Sequence, residues 1–161
     1  MKLSPAIKGI ITAVSMIAIF LLLYKQNRET DSRLQYLVYG LYGAGIVWTL
    51  FVFRKSASFT GKFMDSFSQG FKCFVVVTLC MALFYGIFYY MHPEFAAEMA
   101  ASYKEQLLKE KDHLPSEIEN AVTTFKKQYT LKLVSGAIFG YLIIGTAITG
   151  VFSALLSITK K

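Results

Sequence analysis

His92 and His113 are the only histidines in the chain, and Glu94, Glu98, Glu110 and Asp112 stand near them in sequence. Imidazole nitrogens and carboxylate oxygens in one place would serve a divalent metal. The spacing follows no recognised ligand motif, however, and polar residues at helix ends account for both histidines. Cys73 and Cys80 lie seven residues apart. On a helix they would share a face about 10.5 Å apart along the axis, too far for a disulfide, so they read as small buried apolar residues. There is no phosphate loop, no HExxH and no GxSxG. We therefore expect no catalytic, cofactor-binding or metal-ligating residues, and a protein that is not an enzyme.

What the chain offers instead is apolar length. It is 55% hydrophobic and 17% charged, and residues 9–24, 34–53, 73–91 and 133–159 contain no Asp, Glu, Lys or Arg. A helix needs roughly 20 residues to cross a hydrocarbon core of about 30 Å. The first block reaches that length if it begins at Pro5, with Lys8 reaching back to the headgroups. A cleaved signal peptide is the alternative for this block, but no small-x-small site follows it. Only helices satisfy their own backbone within lipid. The expectation is thus an all-α, polytopic membrane protein of one domain over residues 1–161, with spans at about 5–24, 34–53, 72–91 and 131–158. The spans hold no Asp, Glu or His, so a proton- or ion-coupled carrier lacks its usual relay. Their hydroxyls, Thr12, Ser15, Thr49, Thr78, Ser135, Thr146, Thr149 and Ser153, are expected to bond back to the helix.

Charge sets the expected threading. With the N-terminus cytoplasmic, the inner segments carry Lys2, Lys8, Arg54, Lys55, Lys62, Lys72, Lys160 and Lys161 against the single acid Asp65, which accounts for the whole net charge of +7. Orientation follows Lys and Arg near span ends, and both termini are expected inside. Tyr24, Tyr36, Tyr39, Tyr89, Tyr90 and Tyr129 would then form a belt at the outer interface.

Two segments between spans carry periodic apolar residues. Phe59, Phe63, Phe67 and Phe71 recur every four residues beside Met64. Each such step drifts by only 40° around a helix. With Lys62 and Lys72 they suggest an amphipathic helix over about 57–70, lying among the inner headgroups and bending at Gly70. A docking stripe for a partner helix and a simple cytosolic extension of the third span are the alternatives. Residues 92–130 form a charged insert on the outer side. Phe95, Met99, Tyr103 and Leu107 make one stripe; Ile118, Val122, Phe125 and Tyr129 make a second. A helical hairpin follows, its stripes facing each other, facing the leaflet, or offering a surface to a partner. Pro93 suits a first helical turn, and "SEIE" at Ser116–Glu119 matches a capping box. With no Gly or Pro before the fourth span, its helix is expected to run on into the membrane.

The fourth span contains Gly136, Gly140, Gly145, Thr149, Gly150 and Ala154. Small residues let helix backbones approach in lipid, either within the bundle or as a seam to a second molecule. Gly40, Gly43 and Gly45 could supply a matching groove.

The lead "SPAIKG", the loop "SFTGKFMDSFSQGFK" running into the third span and the charged insert before the fourth resemble an uncharacterised family of small four-span bacterial membrane proteins. That family is common in Bacteroidetes and known only as a domain of unknown function. The resemblance covers essentially the whole chain and implies this topology in a bacterial inner membrane, with no activity attached. The expected role is non-enzymatic: a subunit or scaffold that binds another membrane protein, or itself, within the bilayer. A small transport or lipid-handling protein is the alternative, and a lipid-modifying enzyme comes third. The insert's charges nearly cancel, which argues against nucleic acid, and no cofactor is expected.

Overall fold

The computed structural model describes residues 3–26, 32–110 and 114–158. Among them are five helices and no strand: α1 (Pro5–Lys25), α2 (Ser32–Arg54), α3 (Phe63–Met91), α4 (Pro93–Lys109) and α5 (Pro115–Ile158). All but α4 are long and apolar enough to cross a membrane, so the chain is a multi-pass membrane protein. The 44 residues of α5 extend about 66 Å, roughly twice a hydrocarbon core. His113, Asp112 and the terminal lysines lie outside the described residues.

Helix ends follow local chemistry. The Ser4 hydroxyl caps α1 by accepting from the Ile7 N–H at 3.3 Å, and Pro5 fills the first helical position. Thr60 accepts from the Lys62 N–H at 3.1 Å and donates to the Asp65 carboxylate, which anchors the start of α3. Gly61, with φ 80°, makes the turn in a conformation that a side chain would strain. α3 and α4 are separated only by His92. Its N–H still bonds the Phe88 carbonyl at 3.1 Å, but Pro93 forces the preceding residue out of helical geometry, and His92 sits at φ −120°, ψ 68°. The cap of α5 lies two residues earlier than the sequence suggests. Leu114 is the capping position, and its N–H donates to the Glu117 carboxylate at 3.1 Å; Ser116 is already helical. Pro115 explains the shift, because it lacks an N–H and takes the first helical position readily.

A separate interfacial helix over 57–70 does not form. Residues 55–62 are turn and irregular chain, and Phe63 to Gly70 are the first two turns of α3 itself. α3 is continuous through Gly70, which is buried against Thr149. Phe63, Phe67 and Phe71 remain in line, with ring centroids 5.6 and 6.4 Å apart. Phe59 is not on that helix and packs edge-on against Phe53 at 5.8 Å.

The chain divides into two compact units: Met1–Met81 with Ile138–Lys161, and Ala82–Ala137. In the first, glycines set the spacing between helices. A Cβ at Gly9 would stand 2.7 Å from the Cys73 carbonyl oxygen, one at Gly43 3.3 Å from Ile148, and one at Gly45 would overlap Thr12. α1 thus packs on α2 and α3, and α5 on α2 and α3. Tyr42, Phe74, Met16, Ile46, Leu50, Met81 and Val77 fill the centre, each under 2% exposed. Lys8 packs into the bundle. It is 4% exposed, with Nζ 5.8 Å from the centroid of the Trp48 ring. Close seating of α1 at Gly9 holds the lysine stem against the bundle, and the electron-rich indole face takes the ammonium.

Candidate functional site

α5 presents two faces within the first unit. One is buried. Gly145 lies against Tyr42 and Phe74, Thr149 against Gly70, and Tyr141 is 3% exposed. The Tyr42 hydroxyl donates to the Tyr141 carbonyl oxygen at 2.7 Å and the two rings pack edge-on at 5.2 Å. The other face is open. At Gly140 and Gly150 nothing stands within 4 Å of where a Cβ would lie, and Ile143 and Val151 are exposed. Leu142, Ile143, Thr146 and Ala147 line a shallow surface depression there, of about 400 Å³. Ala154, further along the helix, is half-buried. Gly136, in the second unit, also faces open space. Of the small residues picked out along this helix, then, Gly145 packs inside while Gly136, Gly140 and Gly150 do not. Periodicity along one helix shows which residues are small; only the neighbouring helices show which are covered.

Gly9, Gly45 and Gly70 make the other close approaches. Gly9 and Gly70 each belong to a small-xxx-small pair, Gly9 with Ala13 and Ser66 with Gly70, but such pairs do not say which helix comes to them. Their signal is a partner of complementary size on another helix, Thr12 for Gly45 and Thr149 for Gly70.

In the second unit α4 and the start of α5 are joined by aromatic rings. Tyr103 stacks on Phe125 at 4.8 Å and 21°. Tyr89 meets Phe95 at 5.4 Å and Tyr129 at 6.1 Å, and Lys132 stands 5.9 Å over Phe125. Leu107 and Ile118 are buried, Val122 is half-buried and Met99 is exposed. The two stripes of the insert thus bury much of their surface against each other. His92 packs on Phe88 at 4.5 Å, and its Nδ1 lies 2.6 Å from a Glu94 carboxylate oxygen. Glu94 is held below the usual carboxylate range, first by its own backbone N–H at the helix start and then by His92. Among the described residues no three of His, Cys, Asp and Glu come together to hold a metal ion.

Around the start of α3, Lys62 and Lys72 are exposed, as are Phe63 and Phe71; Phe59 and Phe67 are half-buried. Phe53, Ser58, Asp65, Ser68 and Gln69 line an open cavity of about 280 Å³.

No curated protein and no solved structure is significantly similar to this chain. Residues 7–157 match the family described as "Protein of unknown function (DUF4199)", and the chain belongs to that family.

Proposed function

We propose that this member of the DUF4199 family is a non-enzymatic subunit or scaffold that binds another membrane protein through the open face of α5, between Gly140 and Ala154. The observation that carries the reading is the empty space over Gly140 and Gly150, beside exposed Ile143 and Val151. Lipid tails are as apolar as any side chain, so association in the bilayer depends on close van der Waals packing. A helix face notched by glycine lets a second helix come close enough to gain it. The packed centre favours this reading over a carrier: a polar path would have to run where Tyr42, Phe74, Ile46 and Met81 stand, all under 2% exposed.

The test is gentle solubilisation of native membranes, sizing of the tagged protein and identification of what migrates with it. Gly140→Leu with Gly150→Leu should release a defined partner at least tenfold without lowering the melting temperature, because both positions face open space. Migration alone in the wild type, or a partner retained by the double variant, rejects this face as the interface. A homo-oligomer broken by the same variant would make a second copy the partner.

We place the protein in a bacterial cytoplasmic membrane with both termini inside, on the strength of the basic inner segments. Ser102 is exposed on α4, so Ser102→Cys, made with Cys73→Ser and Cys80→Ser, should react with an impermeant thiol reagent in intact cells. Labelling only after lysis would reverse the threading.

A further inference from the structure

Several hydroxyls in the spans are settled by their own helix. Thr12, Ser15, Thr49 and Thr78 each donate to the carbonyl four residues earlier, at 2.8–3.0 Å. Ser157 reaches the Ala154 carbonyl at 2.8 Å. Ser66, Thr149 and Ser153 do otherwise. They are 1%, 0% and 0% exposed, and none of their hydroxyl oxygens has a hydrogen-bond partner. Each has a helical carbonyl one turn back and leaves it unused.

The three share one interface. Gly70 faces Thr149, whose oxygen would stand 2.9 Å from a Cβ at that glycine, and Phe74 faces Gly145. Four residues forward on α3 is therefore four residues back on α5, so the two segments run antiparallel. Continued one turn the other way, that register sets Ser66 opposite Ser153. The hydroxyls thus occupy two adjacent layers of the α3–α5 seam, about 6 Å apart along the axis.

We propose that this seam is a binding site for internal water, with Ser66, Thr149 and Ser153 as its polar partners. Near-zero exposure keeps out lipid headgroups and side chains of a partner. A metal cation is poorly served by three neutral hydroxyls, and Asp65, the residue before Ser66 on α3, already accepts from Thr60. Each hydroxyl offers one donor and two acceptors. A water needs two to four polar partners and about one probe sphere of room, and it spans oxygens up to about 5.5 Å apart at ordinary hydrogen-bond lengths. The absence of a side chain at Gly70 draws the two helices together beside it.

Two measurements decide it. In nanodiscs, the Thr149 methyl group of the wild-type protein should show cross-relaxation to a long-lived water, lost in Ser66→Ala with Ser153→Ala. The isosteric Thr149→Val should lower the melting temperature by about 2–4 °C, because a bridged water loses a partner. A hydroxyl that bonds to nothing would give the opposite sign, since removing it relieves a buried polar group. No water signal at Thr149, or a melting temperature unchanged or raised by Thr149→Val, overturns the site.

Discussion

Gly145→Ala should destabilise the protein by about 2–4 kcal/mol, combining the cost of overpacking with that of an unmade buried hydrogen bond. The added methyl would overlap the Tyr42 hydroxyl and stand 2.7 and 2.9 Å from atoms of the Phe74 ring. Neither ring can yield easily, since Tyr42 is 0% and Phe74 1% exposed. The hydroxyl would lose more than space. It donates to the Tyr141 carbonyl, one turn before Gly145, and the missing side chain at that glycine leaves the approach clear. Pushed aside, the phenol would be buried within the bilayer with no water to bond instead. Two companion variants isolate the cause. Tyr42→Phe in the Gly145→Ala background should cost little beyond Gly145→Ala alone, because the bond is already gone. Gly140→Ala, which meets nothing, should be neutral or gain up to about 1 kcal/mol of helix propensity. Unfolding in detergent gives all three values. A Gly145→Ala protein as stable as wild type would mean that α5 is not seated on α2 and α3 as described.

Lys8→Met should stabilise the protein, by about 1–3 kcal/mol. The lysine lies in a membrane-spanning helix at 4% exposure, and the described residues give it no carboxylate. A cation over an indole recovers about 0.5–2 kcal/mol, less than the several that removal from water costs an ion. Methionine keeps most of the stem that packs beside Gly9 and removes the charge. Trp48→Leu should then cost more in the wild type than in the Lys8→Met background, the difference measuring the ring's hold on the ammonium. A less stable Lys8→Met protein would show that the charge gains more at that depth than an apolar chain does.

Much of the architecture is legible along the chain because membrane spans depend on local composition. Four uncharged stretches require four helices whatever surrounds them, since backbone groups in lipid must pair within their own segment. Pro93 and Pro115 restart helices where they stand because each lacks an N–H and has φ preset. The run from Ser116 into the fourth span contains nothing to stop it until Gly136, and α5 is unbroken. The two stripes of the insert were visible as well, and their rings meet, Tyr103 on Phe125.

The tertiary structure decided what depends on a second helix. The four-residue ladder of phenylalanines satisfies a helix anywhere, but Thr60, Gly61 and Asp65 begin α3 at Phe63, so Phe59 falls outside it. Glycine spacing marks α5 as able to pack without saying on which side. Gly145 is covered because Tyr42 and Phe74 come to it, and Gly140 is open because nothing does. Lys8 has the composition of an interfacial residue, yet its direction follows from Gly9 bringing α1 against the Cys73 carbonyl. A span is set by transfer of one segment from water to lipid, which the residues of that segment determine alone. A packed seam is set by pairs of surfaces, and one helix carries only half of each pair.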